Sequence, residues 1–250
     1  MLEVVDVSHE FSGAVGVPVL DRVSLTLDEG EFVSIVGPSG CGKSTLLRIL
    51  AGLLAPSSGT VLVQGVVQPP APGHAAFMPQ HDRLLDWRRA LDNAALAADI
   101  HGDDRATSRM RASDLFERFG LAGFERAWPS ELSGGMRQRL ALLRTLLADR
   151  DLLLLDEPFG ALDSITRQSM HTWLQDVLAQ DRRSVLFVTH DVDEALVLSD
   201  RVVVMSGRPG RVVSVLSIDA PRPRAPSTVT APWFTAHKAE LLAQLEAGMA

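Results

Sequence analysis

Nine residues, GPSGCGKST at 37–45, stand between the apolar run FVSIV (32–36) and the helix-forming run LLRILAGLL (46–54). They fit the pattern G-x-x-x-x-G-K-[ST] in the strand–loop–helix setting that gives the pattern its meaning. No other stretch restricts the fold so tightly. The loop works only where a strand ends and a helix begins, so that backbone N–H groups and a helix N-terminus converge on one anion. Gly40 and Gly42 let the backbone curl around a phosphate with no Cβ in the way. Gly37, Pro38, Ser39 and Cys41 complete the nucleotide-binding loop. Lys43 would reach the β- and γ-phosphates, the Ser44 hydroxyl would ligate Mg²⁺, and Thr45 would hydrogen-bond the α-phosphate. A glycine-rich turn that merely opened a helix would need neither Lys43 nor Ser44 at those offsets.

Such a loop needs an acid on the metal side, at the tip of a neighbouring strand. LLLLDEP, 152–158, supplies one. Asp156 would end a buried strand and hold Mg²⁺ through water. Glu157 follows it, near the γ-phosphate but off the metal, which suits a general base for the attacking water.

Segments rich in β-branched and other apolar residues predict strands at 3–7, 23–27, 32–36, 61–63, 75–78, 152–155, 185–189, 202–205 and 212–216. Several, such as FVSIV, LLLL and VLFV, are apolar throughout, as strands covered by helices on both faces must be. Helical runs near 43–53, 165–179 and 192–198 alternate with them. The order implies an α/β class: a P-loop NTPase core whose sheet is mainly parallel, with an antiparallel part on the N-terminal side. From about 82 to 149 the strand signals stop, and ALDNAALAADI, SDLFERFGL and MRQRLALLRTLLA carry apolar residues at helical spacing. This predicts an inserted α-helical subdomain, too long for a single crossover. Residues 1–219 then form one domain, and 220–250 a Pro-rich linker (220–227) with a short terminal helix.

Composition narrows the function classes. The net charge of −7 argues against bulk nucleic-acid binding. The only cysteine, Cys41, rules out an internal disulfide and a structural zinc site of the Cys type. No secretory leader is apparent in MLEVVDVSHEF, and no run of about 18 apolar residues occurs, so a cytosolic chain is expected.

A second glycine turn, LSGG at 132–135, opens the helix former MRQRLALL. Together with the phosphate loop and LLLLDE, in that family's order, it resembles the nucleotide-binding subunit of ABC transporters, over residues 3–216. The resemblance implies an ATPase whose two copies pack head to tail, each ATP lying between one P-loop and the partner's LSGG. Ser133, Gly134 and Gly135 would then grip the γ-phosphate in trans, and ATP with Mg²⁺ would close the homodimer. Gln80, in FMPQHD, resembles the family's Q-loop glutamine, near Mg²⁺ and the lytic water. His190, in LFVTHD, resembles the H-loop histidine that orients Glu157 and water. Asp163, in GALDS, resembles the D-loop aspartate at the dimer seam. Phe11 stands where the family stacks an aromatic on adenine; the usual tyrosine is absent, since the chain has no Tyr. Leu143 and Thr145 depart from the small residues common after the signature. Cys41 inside the loop reads either as an inert spacer or, beside the loop amides and Lys43, as a reactive thiol whose alkylation would block ATP.

The resemblance further implies separate membrane permease subunits, reached through RLLDWRR (83–89) with Trp87 as an interface anchor, and indirectly a solute-binding protein. The chain would sit on the cytoplasmic face of the membrane. The LL-x-W pattern, GGMRQR and the short tail resemble the nitrate/sulfonate/taurine importer branch, which includes pyrimidine-precursor importers. The alternatives are an exporter ATPase or an ABC ATPase acting on nucleic acid. The latter usually carries paired cassettes, a long coiled coil or zinc clusters, none of which occurs here.

Overall fold

The computed structural model describes residues 1–12, 16–102, 104–180 and 183–248. Strands β1 (Leu2–Phe11), β2 (Val17–Leu27), β4 (Ser58–Val63) and β5 (Val66–Val67) form an antiparallel sheet in the order β2-β1-β4-β5. The second sheet holds β3 (Phe32–Val36), β6 (Ala76–Met78), β7 (Leu152–Asp156), β8 (Ser184–Val188), β9 (Arg201–Met205) and β10 (Val212–Ser217). Its order is β10-β9-β3-β8-β7-β6, and all its pairs are parallel except β10 with β9. The antiparallel N-terminal part matches the sequence expectation. The antiparallel hairpin at the other edge was not foreseen.

Strand parity sorts the core into two layers. Val33, Ile35, Leu152, Leu154, Leu186, Val188, Val203 and Met205 face the antiparallel sheet and helix α1 (Lys43–Leu50). Their alternates Phe32, Val36, Leu153, Leu155, Val185, Phe187, Val202 and Val204 face the other helices. A strand packed on both faces has no room for a polar alternate, which is why the runs read as continuously apolar. Mid-strand, Ser34 is a polar exception, buried and bonded to the Ser199 hydroxyl; Ser184 and Asp156 are buried polar residues at strand ends.

β1 and β2 are longer than the predicted 3–7 and 23–27. Asp6 (φ 48°) and Arg22 (φ 47°) lie in the left-handed region, and register shifts interrupt the β1–β2 ladder. These irregularities break the in–out alternation that sequence reading relies on. Between β6 and β7 the chain is helical: α2 (Ala90–Ala94), α3 (Leu96–His101), α4 (Arg105–Phe116) and α5 (Gly134–Leu146). α6 (Ser164–Gln180) and α7 (Val192–Leu198) cross back to the sheet.

The segment read as an extended linker is packed. Arg224 is 4% exposed and donates to the carbonyls of Leu196, Ser199 and Ala220. Burial lowers its pKa to about 10. Gln175 bonds both the N–H and C=O of Arg224, and α8 (Pro232–Ala247) buries Phe234 and Leu241 in the core beyond. Proline-rich composition reports the missing amide donors, but the arginine that anchors the segment has no local sequence signature.

Candidate functional site

β3 ends at Val36, and the loop that follows turns on Gly42, which caps α1 in a left-handed conformation (φ 108°). A Cβ at Gly42 would lie 2.7 Å from the Leu20 side chain and 3.0 Å from the Val19 carbonyl, so both space and φ demand glycine there. Lys43, 7% exposed, folds over the loop and donates to the carbonyls of Gly37 (2.7 Å) and Pro38 (2.9 Å). Its ammonium is thus held over the loop before any phosphate arrives. The loop opens on a cleft of ≈ 300 Å³. Phe11 and Val19 line it along with Ser39, Gly40, Gly42, Lys43, Ser44, Thr45, Gln80, Glu157 and Arg208. Phe11 is 43% exposed and makes a T-shaped contact with His9.

On the metal side, Ser44 Oγ donates to Asp156 Oδ1 at 3.1 Å. Asp156 is 2% exposed. Burial, and secondarily the neighbouring Glu157 charge, hold its carboxyl above the usual range, against the Ser44 bond and the charges of Arg48 and Lys43. A divalent cation would neutralise that cost, so the pair fits one. The described residues hold no cluster of three or more His, Cys, Asp or Glu able to cage a metal. Mg²⁺ needs none, since it keeps waters and takes substrate phosphate oxygens.

Two other expected residues meet at Glu157. Gln80 Nε2 donates to its Oε2 at 3.2 Å, and His190 Nδ1 lies 3.2 Å from the same oxygen. Oε1 has no partner among the described residues and can accept a proton from water. Glu157 itself holds φ 49°, a strained value for a side chain with a Cβ, fixed by its N–H on Val188 O at 2.9 Å. His190 is set between the end of β8 and α7, whose N-cap Asp191 accepts from the N–H groups of Asp193 and Glu194.

The LSGG turn lies elsewhere. Leu132 is buried, while Ser133 and Gly134 are exposed, and none of residues 132–135 lines the cleft. Ser133 Oγ caps α5 by accepting from Met136 N at 3.2 Å. A Cβ on Gly135 would meet Leu162 at 3.2 Å, so the turn abuts the GALDS segment. There Asp163 accepts from the N–H groups of Ile165 and Thr166, and the Thr166 side chain and amide draw its pKa down. Cys41 corrects one expectation: it is 1% exposed and its thiol packs into the core, which shields it from a reagent.

Sequence reading missed four contributors. Gln138, buried on α5, donates from Nε2 to Glu157 O at 3.4 Å. Arg137 pairs with Asp82 at 3.1 Å, and Arg144 donates to the carbonyls of Asp82 and Arg83, so the helix after LSGG grips the segment after Gln80. Arg208 lines the cleft from the β9–β10 turn. The only local signal for the last is GRPGR, a turn-forming run with no evident chemistry.

A family model described as ABC transporter matches residues 20–160. The aliphatic sulfonates import ATP-binding protein SsuB 1 of Rhodococcus jostii is 49% identical over 223 residues, covering 89% of this chain and 85% of that one. The formylaminopyrimidine import ATP-binding protein ThiZ of Halalkalibacterium halodurans is 46% identical over 192 residues, 77% of this chain and 75% of that one. Among solved structures, the dimeric bacterial ABC transporter cassette MJ0796 superposes with a TM-score of 0.81 at 29% identity, covering 88% of this chain and all of that one. At those identities, with the family model running from within β2 through the acid pair at Asp156 and Glu157, the chain belongs to the ABC transporter family.

Proposed function

We propose that this chain hydrolyses ATP to power import of a small organic solute, of the aliphatic sulfonate or pyrimidine-precursor class, through separate permease subunits. One observation carries the catalytic reading: Gln80 and His190 converge on the Glu157 carboxylate at the rim of the P-loop cleft. Phe11 stacks on adenine, the loop amides and Lys43 hold the phosphates, and Ser44 with Asp156 holds Mg²⁺. The ion, when bound, neutralises charge on the phosphate oxygens. Glu157 Oε1 takes a proton from the attacking water, while His190 and Gln80 fix the carboxylate through Oε2.

The second half of each site comes from a partner copy. Ser133 uses its oxygen to cap α5, which leaves its O–H free to donate to a γ-phosphate across the seam, beside the α5 N-terminus. Asp163 lies at the same seam. ADP lacks the group these donors hold, so ATP favours the closed dimer by differential contact. Glu157→Gln in the full chain is expected to lower turnover at least ~100-fold and to yield an ATP-dependent dimer by light scattering. A variant that stays monomeric in saturating MgATP rejects the sandwich.

No described helix is long and apolar enough to cross a membrane. Trp87, 73% exposed just after the Gln80 segment, offers an apolar anchor to a permease helix at the cytoplasmic face. A solute-binding protein would deliver cargo on the far side. Trp87→Ala should keep basal ATPase yet lose co-purification with the permease subunits; unchanged co-purification removes its anchor role.

A further inference from the structure

We propose that Arg208 is a nucleotide-binding residue, its guanidinium donating to the α-phosphate and ribose end of bound ATP. The inference rests on the reading of the P-loop cleft as the nucleotide site. Of the residues lining that cleft, only Lys43 and Arg208 are cationic, and the Lys43 ammonium is engaged by the carbonyls of Gly37 and Pro38. Arg208 is exposed. Its Nε donates to Pro18 O at 3.0 Å, and its two terminal nitrogens have no partner among the described residues. Four N–H donors are therefore aimed from a tethered stem with no carboxylate to satisfy them.

The tether sets which end of the nucleotide they meet. Pro18 pairs with Glu10 across the β1–β2 ladder, and the next pair is Phe11 with Val17. Arg208 is thus fixed at the Phe11 end, where the base would stack. Gln80 and Glu157, which mark the γ-phosphate end, belong to the β6 and β7 strand tips.

The turn that carries Arg208 is built rigidly onto the loop. Gly210 N donates to Val19 O at 2.8 Å, and Asp21 N donates to Gly210 O at 3.0 Å. Ser206 Oγ donates to Gly207 O at 2.9 Å and accepts from Arg211 N at 3.0 Å. A Cβ on Gly210 would fall 2.1 Å from Cys41 O, so the turn rests directly on the P-loop backbone. A guanidinium held this way binds without first being ordered, which favours affinity for ground state and transition state alike.

That uniformity is the test. Equilibrium binding of ATP and of ADP, and steady-state hydrolysis, are measured on the full chain as wild type, Arg208→Gln and Arg208→Lys. Arg208→Gln is expected to weaken ATP and ADP equally, by roughly tenfold, and to raise KM by the same factor with kcat within about twofold. Arg208→Lys should recover part of the loss, because it restores charge without the fork. ATP and ADP affinities within twofold of wild type overturn the proposal. So does a loss confined to ATP, which would put the guanidinium at the γ-phosphate. A fall in kcat alone, or a loss that Lys does not relieve together with a lowered Tm, marks a structural role and also overturns it. Failure of the wild-type chain to bind either nucleotide sinks the reading of the cleft itself, a result distinct from any difference among the variants.

Discussion

Two glycine turns open two helices in this chain, and they are finished to different degrees. The turn ahead of α1 is complete within one subunit: Lys43 is buried over its own loop carbonyls, Ser44 meets Asp156, and the cleft has Phe11 at one end and Glu157 at the other. The turn ahead of α5 has a buried root, Leu132, and an exposed crown, Ser133 and Gly134, that faces none of the cleft residues. Both use the same local physics, unpaired N–H groups at a helix start. They differ in what surrounds those groups. One has a pocket, a hydroxyl–carboxylate pair and a second carboxylate; the other has only a cap. On the proposed reading, a site divided in this way would be a logical gate, each half waiting for a second copy to supply the other.

The strongest way to break that comparison is to disable each turn in a separate chain. Lys43→Ala removes the P-loop cation, and Ser133→Arg fills the exposed crown. Each homodimer is expected to lose hydrolysis, by at least ~100-fold. Mixed together, the two dead proteins form heterodimers that combine one intact P-loop with one intact LSGG turn, so activity should return to a substantial fraction of wild type. No recovery on mixing, with heterodimers shown to be present, means that the two turns act on one nucleotide in the same chain.

How much of this was legible beforehand follows from which interactions are local. The P-loop, the acids after four leucines and the glycine turn that opens a helix at 132–135 are each set by neighbours within a few residues, so local sequence reveals them. The core sheet was legible for the same reason: buried parallel strands are apolar at nearly every position. What escaped depends on residues far apart in the chain. Arg224 bonds carbonyls about α7, Arg208 reaches Pro18, and Gln138 meets the backbone of Glu157. Nothing in the sequence near an arginine tells which distant carbonyl it will find. Gln80 and His190 were placed by resemblance rather than by their own spacing; the fold supplies the reason, by bringing the tips of β6, β7 and β8 side by side.

Asp156 sharpens the contrast between a finished half-site and a waiting one, because the finished half carries a stability cost. Burial holds its carboxyl above the usual range. The sign follows: a raised carboxyl favours the fold fully below the unfolded pKa, about 4, and that advantage is lost as pH rises through the folded value. At neutral pH the metal-free protein therefore bears a penalised anion. Asparagine keeps the shape and an oxygen for the Ser44 hydroxyl, without the charge. Metal-free Asp156→Asn should melt higher than wild type at pH 7, by roughly 2–4 °C, and the gap should close toward pH 4. Its Mg²⁺-dependent hydrolysis should be lost. Equal melting at pH 7 would mean that Lys43 and Arg48 already offset the burial.

The smallest effect tests whether the two halves communicate. Gln80 touches Glu157, and two residues later Asp82 is gripped from α5 by Arg137 and Arg144. The path from cleft to exposed turn is thus one short loop and one ion pair. That pair is about a third exposed on each side, and is worth at most ~1 kcal/mol of stability. Arg137→Ala should therefore barely move Tm and leave ATP affinity within about twofold. Its effect should appear in amide exchange: nucleotide binding to the wild-type monomer should slow exchange across 133–140, and the variant should lose that change while keeping the one at 38–45. If both segments respond in the variant as in the wild type, the ion pair is only a surface contact. The exposed turn would then learn of the nucleotide solely by meeting it across the seam.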